Sequence, residues 1–202
     1  MQIIGIKAYQ ARELPDHAKL NAYAFIRESV TAWTWYTDIR DVFIKGMAAK
    51  GYTIKAEDMR FSGFDAPASD GVSFGALLNV HTWIKSTSRR TRRYKRVLKA
   101  LPKSLCAVVE RTPYTIVVHD KIMDVTLDVP DELGEDLLQL CDKLNFEMVV
   151  DAQKQAGNFY KKMRRTYNAL TRTKYLDRVG DSMGYLFDET GRPVHHLNNH
   201  VS

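Results

Sequence analysis

The stretch that decides the fold runs from Glu57 to Ile84. It reads EDMRFSGF over 57–64, DAPASDG over 65–71 and VSFGALLNVHTWI over 72–84. In the last segment Val72, Phe74, Ala76, Leu78, Val80 and Thr82 fall on alternate positions, the period that lines one face of a strand. The segment between concentrates the Asp, Pro, Ser and Gly residues that close turns. The spacing therefore predicts two strands, 57–64 and 72–84, joined by a turn at the centre of the chain.

Working outward, residues 2–10 are rich in β-branched and aromatic types and read as an opening strand. A helix is expected from Pro15 as its first residue, with Leu20, Tyr23, Ala24, Phe25 and Val30 as its core face. A second, capped by Thr37 or Asp38 and stopped at Gly51, repeats Ile39, Val42, Phe43 and Met47 at helical spacing. Beyond the central strands, Ser86 to Leu101 reads as one basic helix with Tyr94, Val97, Leu98 and Leu101 as its apolar stripe, ended by Pro102. Residues 105–111, 114–119 and 121–129 read as three strands. From Asp131 to about Thr171 the pattern is helical, with a break expected near Gly157-Asn158, and a shorter helix covers about 172–183. Tyr185-Leu186-Phe187, a turn at 188–191 and a frayed polar tail over 190–202 close the chain. Strands and helices come in blocks, so the expected class is α+β, a mostly antiparallel sheet packed with helices and a long C-terminal helical segment. No repeat or linker divides it, and one domain spanning 1–202 is expected.

The 202 residues are 45% hydrophobic and 27% charged, ordinary globular usage. No run approaches a membrane span and no signal peptide is legible. Cys106 and Cys141 are too few for a disulfide framework and read as buried thiols of a cytoplasmic protein.

The net charge of +6 is unevenly placed. Lys85, Arg89, Arg90, Arg92, Arg93, Lys95, Arg96, Lys99 and Lys103 follow one another with no acidic residue among them. Without these nine, 21 basic and 24 acidic residues leave a net −3. A second basic tract runs from Lys154 to Arg178. Between the tracts lies an acidic stretch from Asp124 to Asp151. Such a pattern binds an anionic partner or neutralises itself within the fold or a dimer, and the sequence leaves both open. In the first case Arg89, Arg90, Arg92, Arg93, Lys95, Arg96 and Lys99 would track phosphates, and Trp83 and Tyr94 would stack on exposed bases. The tryptophan cluster Trp33-Thr34-Trp35-Tyr36 reads as the cap of a hydrophobic core.

Catalytic signatures are missing. There is no phosphate loop, no G-x-G-x-x-G, no C-x-x-C and no H-E-x-x-H. Ser62 and Ser73 lack a nucleophile elbow. His195, His196 and His200 sit in a polar tail, and His119-Asp120 reads as a strand end with its turn. A metal-dependent nuclease assembled from Asp120, Lys121 and Asp124 is the weakest reading. No catalytic residue, metal or cofactor is expected.

Phe61-Ser62-Gly63-Phe64, followed by Ser69-Asp70-Gly71-Val72-Ser73-Phe74, resembles the S-G-F…G-D-G-x-x-F signature of an uncharacterised tailed-bacteriophage protein family. Some of its members carry the label antitoxin of a toxin–antitoxin system. Glu13 to Lys19 resembles the family's opening helix start, and Tyr185 to Arg192 resembles its closing aromatic strand and acidic-Gly turn. The chain departs from the pattern by an extra loop residue before Asp70 and by its basic charge. The family supplies no active site, and the motif residues Ser62, Gly63, Phe64, Asp70, Gly71 and Phe74 read as a turn built on permissive glycines. The resemblance implies a phage accessory protein in the host cytoplasm that binds a host protein stoichiometrically, as a host-takeover or counter-defence inhibitor of nucleic-acid-linked machinery. The alternative is a direct DNA or RNA binder using 85–103. A homo-oligomer is compatible with both, and no membrane partner is expected.

Overall fold

The structure is a computed structural model and describes residues 7–32, 35–62, 64, 71–111, 123–130 and 133–194. The chain is α+β, and it divides into two compact units, Met1–Tyr36 with Arg165–Ser202, and Thr37–Arg164.

The larger unit is built on a four-stranded antiparallel sheet of order β1-β2-β3-β4, with β1 Tyr52–Ser62, β2 Gly71–Asn79, β3 Cys106–Arg111 and β4 Met123–Thr126. Tyr52, Leu78 and Ala107 form one cross-strand row; Ile54, Ala76, Val109 and Val125 form the next. Nearly all of these are buried, whereas the row on the opposite face, Thr53, Leu77, Val108 and Thr126, is exposed. Period-2 alternation thus produces a sheet with one covered face. The cover comes from α2 (Thr37–Ala48) and α6 (Glu135–Leu170): Phe43 of α2 lies 5.7 Å from Phe74 and stacks on Phe159 of α6 at 4.4 Å. Gly51, with φ +94, turns the chain from α2 into β1, where a Cβ would sit 2.9 Å from the Asn79 carbonyl oxygen.

The smaller unit packs α1 (Asp16–Thr31) against α7 (Thr173–Met183) and the closing segment. Ala18, Ala22 and Ile26 recur every fourth residue and are buried with Ala11, Leu14, Leu176 and Phe187. Phe25 meets Tyr185 and Phe187 edge-on at 5.3 and 6.0 Å. Tyr9 and Phe187 exchange backbone hydrogen bonds of 2.8 and 2.9 Å.

Several expectations are corrected. The second central strand ends at Asn79, whose side chain accepts from the Thr82 amide at 2.8 Å and starts α3, Val80–Lys85. Val80, His81, Trp83 and Ile84 are all buried, a pattern that alternation cannot supply and a helix can. The basic helix is not continuous: α4 (Ser88–Arg93) and α5 (Lys95–Ala100) are separated at Tyr94, which leaves helical geometry at φ −102, ψ 25. Burial of the Tyr94 ring overrides the local helix preference of the flanking arginines and lysines. Conversely, α6 runs through Gly157-Asn158 without a break, and Pro15 caps α1 instead of opening it. The apolar face of α1 is also rotated: Leu20 is 73% exposed. In α2, Val42 is exposed while Met47 is buried. Cys106 points to the open face of the sheet and is exposed; Cys141 is buried. The expected strand at 114–119 and residues 2–6 of the opening strand lie outside the described residues.

Candidate interaction surface

The cationic segment 85–103 and the acidic stretch meet in one molecule. On α6, Asp136, Glu147 and Asp151 fall on the side facing α4 and α5. Arg90 lies 3.6 Å from Asp151, Arg93 pairs with Glu147, and Arg96 comes within 3.9 Å of Asp136. The last pair is exposed on both sides and contributes little.

Asp151 is the hub. Its Oδ2 accepts from the Trp83 indole N–H at 2.8 Å and the Tyr52 hydroxyl at 3.1 Å. Its Oδ1 accepts from Gln155 at 3.0 Å, and Gln155 in turn accepts from Lys50 at 2.9 Å. The Arg90 guanidinium also sits 3.7 Å over the Trp83 ring. Burial pushes the Asp151 carboxyl up, but the hydrogen bonds from Trp83 and Gln155, the Arg90 charge and the Tyr52 hydroxyl more than offset it, so the group lies below the usual carboxylate range. Burial and the neighbouring carboxylate raise the Tyr52 phenol. Burial, then the Glu147 charge, likewise raise Tyr94. With both oxygens occupied and a cation beside them, the carboxylate ties α6 to Trp83, Tyr52 and Arg90.

This arrangement sorts the expected site residues. Trp83 and Tyr94 are both 0% exposed, so neither can stack on a base, which corrects that expectation. Arg90, Arg93 and Arg96 face α6. Arg89, Arg92, Lys95 and Lys99 are exposed and form no ion pair among the described residues. The structure therefore splits the segment into an inner, neutralised edge and an outer, cationic edge.

Where it is described, the central motif lies in the β1–β2 ladder and in the core. Ser62 and Gly71 are partners across the β1–β2 ladder, Phe74 is buried in the core, and Phe64 stacks on Tyr160 of α6 at 5.9 Å. Gly63 and Asp70 lie outside the described residues, as do Trp33, His119, Asp120, Lys121 and the tail histidines. Trp35 is half-buried, 5.7 Å from Tyr167. Asp124 is on β4, opposite Glu110. Among the described residues no three His, Cys, Asp or Glu side chains converge as metal ligands, and no helix is long and apolar enough to cross a membrane.

Sequence reasoning missed the role of Asp151, which it counted only as one acid in a run. The usable signal was the Asp151–Gln155 spacing on a helix whose neighbours Met148 and Ala152 are apolar, which places the carboxylate at a core boundary. No family model, no curated protein and no solved structure matches the chain.

Proposed function

We propose that the chain acts without catalysis, by stoichiometric binding of a protein that presents an acidic surface to the outer edge of α4 and α5. One observation carries this reading: Arg89, Arg92, Lys95 and Lys99 stay exposed and unneutralised while the neighbouring arginines are tied to α6. Four cations on two short helices, each about 9 Å long, form a patch of the size that steers and registers a complementary acidic patch. The resemblance of residues 61–74 to a bacteriophage signature favours a host protein as that partner, in the host cytoplasm, with counter-defence or host takeover as the setting. That setting is an analogy of family, not of geometry.

Direct binding of duplex nucleic acid is the second reading, favoured by the same four cations. It loses the base-stacking component, because Trp83 and Tyr94 are buried. An affinity pull-down from bacterial lysate, with and without nuclease, separates the two. A single host protein retained after digestion, and lost when Arg89, Arg92, Lys95 and Lys99 are changed to Glu, is the expected result. Nucleic acid in the eluate, with all protein partners vanishing on digestion, moves the assignment to the second reading.

A further inference from the structure

The first two turns of α6 expose Glu135, Asp136 and Asp142, the last of them one turn before Phe146, but from Lys143 onward the outward face is cationic. From Lys143 to Arg165 the helix holds only two carboxylates, Glu147 and Asp151, and both are taken by Arg93 and Arg90. Its core side carries Cys141, Leu144, Met148, Ala152 and Phe159. At 3.6 residues per turn the opposite side carries Lys143, Phe146, Val150, Lys154, Gly157 and Lys161. All six are exposed, Phe146 at 69% and Val150 at 46%. The three lysines form no ion pair among the described residues.

Gly157 supplies the second observation. Glycine inside a helix is less favourable than alanine; among the described glycines within helices, Gly180 meets the Ile26 side chain at 3.0 Å, whereas Gly46 of α2 and Gly157 face open space. A Cβ at Gly157 would meet nothing within 4 Å, so no packing among the described residues calls for it. It lies seven residues beyond Val150, two turns along the same stripe, where a second backbone could approach closely. An exposed Phe-Val pair, a bare glycine and a cationic border make a seam with an apolar centre and a polar rim.

We propose that this stripe docks an acidic amphipathic helix of a protein partner. Its apolar side packs on Phe146 and Val150, its backbone comes closest at Gly157, and its carboxylates face Lys143, Lys154 and Lys161. The inference rests on the reading of the chain as a protein binder and adds a surface distinct from the α4–α5 edge. Charge selects the occupant. A second copy would bring the same three exposed lysines and, over 143–165, no carboxylate that Arg90 or Arg93 has not already taken. Two apolar side chains are too few for a membrane-surface helix, and Phe146, Val150 and Gly157 offer nothing to a phosphate backbone.

The test is a fluorescence-anisotropy titration of the full chain against a labelled 21-residue helix-forming peptide, Leu/Ala on one face and Glu on both flanks. Saturable binding is expected, about tenfold weaker for Phe146→Asp and for Gly157→Leu. Gly157→Ala is expected to raise the thermal midpoint while weakening the peptide, a combination that a purely structural glycine would not give. Circular dichroism checks that each variant keeps its helix. At about 0.3 M salt, which screens charges that are not in contact, reversing Arg89, Arg92, Lys95 and Lys99 should leave peptide affinity within about threefold, because sites without shared partners act independently. No saturation, equal binding of a Lys-flanked peptide, insensitivity to both Phe146→Asp and Gly157→Leu, or preference for phosphatidylglycerol vesicles or duplex DNA overturns the proposal. So does a dimer of the chain that Phe146→Asp disperses. If peptide binding is lost only on reversal of the α4–α5 charges, the seam is wrong and the earlier reading stands. If the α6 variants abolish peptide binding while reversal of the α4–α5 charges leaves the lysate partner bound, the earlier surface is wrong and the seam stands.

Discussion

The indole N–H of Trp83 donates to the carboxylate of Asp151 at 2.8 Å, and the same carboxylate holds Arg90, which covers the Trp83 ring. A basic segment and an acidic helix are thereby joined through one aromatic side chain. Asp151→Asn keeps the shape but removes the charge facing Arg90, and is expected to destabilise by about 2 kcal/mol in urea unfolding with an unchanged denaturant slope.

The same pair fixes an acid limb. The Asp151 carboxyl is held below its ordinary value of 3.8 in the folded chain, so its contribution is complete above that value and disappears as pH falls through the lower folded one. The stability gap between wild type and Asp151→Asn should therefore shrink below about pH 4. A gap that stays constant down to pH 2 would contradict the assignment.

In the smaller unit the Tyr23 hydroxyl donates to Asp177 at 2.6 Å, and burial, then that carboxylate, push the phenol from 10.0 up to about 12. A raised folded value means that the contribution is complete below 10.0 and is lost as pH rises through about 12. Tyr23→Phe should be less stable than wild type at neutral pH, with the difference fading over that alkaline window. Thermal melts across the window would read this directly.

Gly191 turns the chain at φ +81, and a Cβ there would fall 2.0 Å from the Ala18 carbonyl oxygen. The turn is closed by Asp188, which accepts from the Thr190 amide and hydroxyl and from the Arg192 amide, at 2.9, 2.7 and 3.0 Å. Gly191→Ala adds a backbone clash to left-handed strain and should destabilise by about 2 kcal/mol or more. Asp188→Ala, which removes those three accepted hydrogen bonds at the turn, should destabilise less than Gly191→Ala. Urea midpoints of the two variants give the ranking.

The two edges of the cationic segment should separate by experiment. Changing Arg89, Arg92, Lys95 and Lys99 to Glu should leave the urea midpoint nearly unchanged, within about 0.5 kcal/mol, since all four are exposed. Changing Arg90 alone to Glu should unfold the chain at markedly lower urea, because it sets a carboxylate against Asp151.

Some of this was legible in the residues and some was not, and the difference is one of range. The α+β class, the antiparallel pairing of β1 with β2, the length of α6 and the turn at Asp188–Gly191 all follow from local rules: period-2 alternation, helical spacing and turn chemistry act within a few residues. Even the expected break at Gly157 failed for a local reason, since one glycine weakens a helix without ending it. What tertiary structure alone decided was which charges are spent. Arg90 and Arg92 are indistinguishable as letters in a run of arginines, yet one lies over Trp83 beside Asp151 and the other faces solvent. The partner of Arg90, Asp151, lies some sixty residues away on α6, and no local pattern encodes that pairing. The interruption at Tyr94 has the same origin, because a ring buried by distant contacts outweighs the few tenths of a kcal/mol per residue that favour a continuous helix.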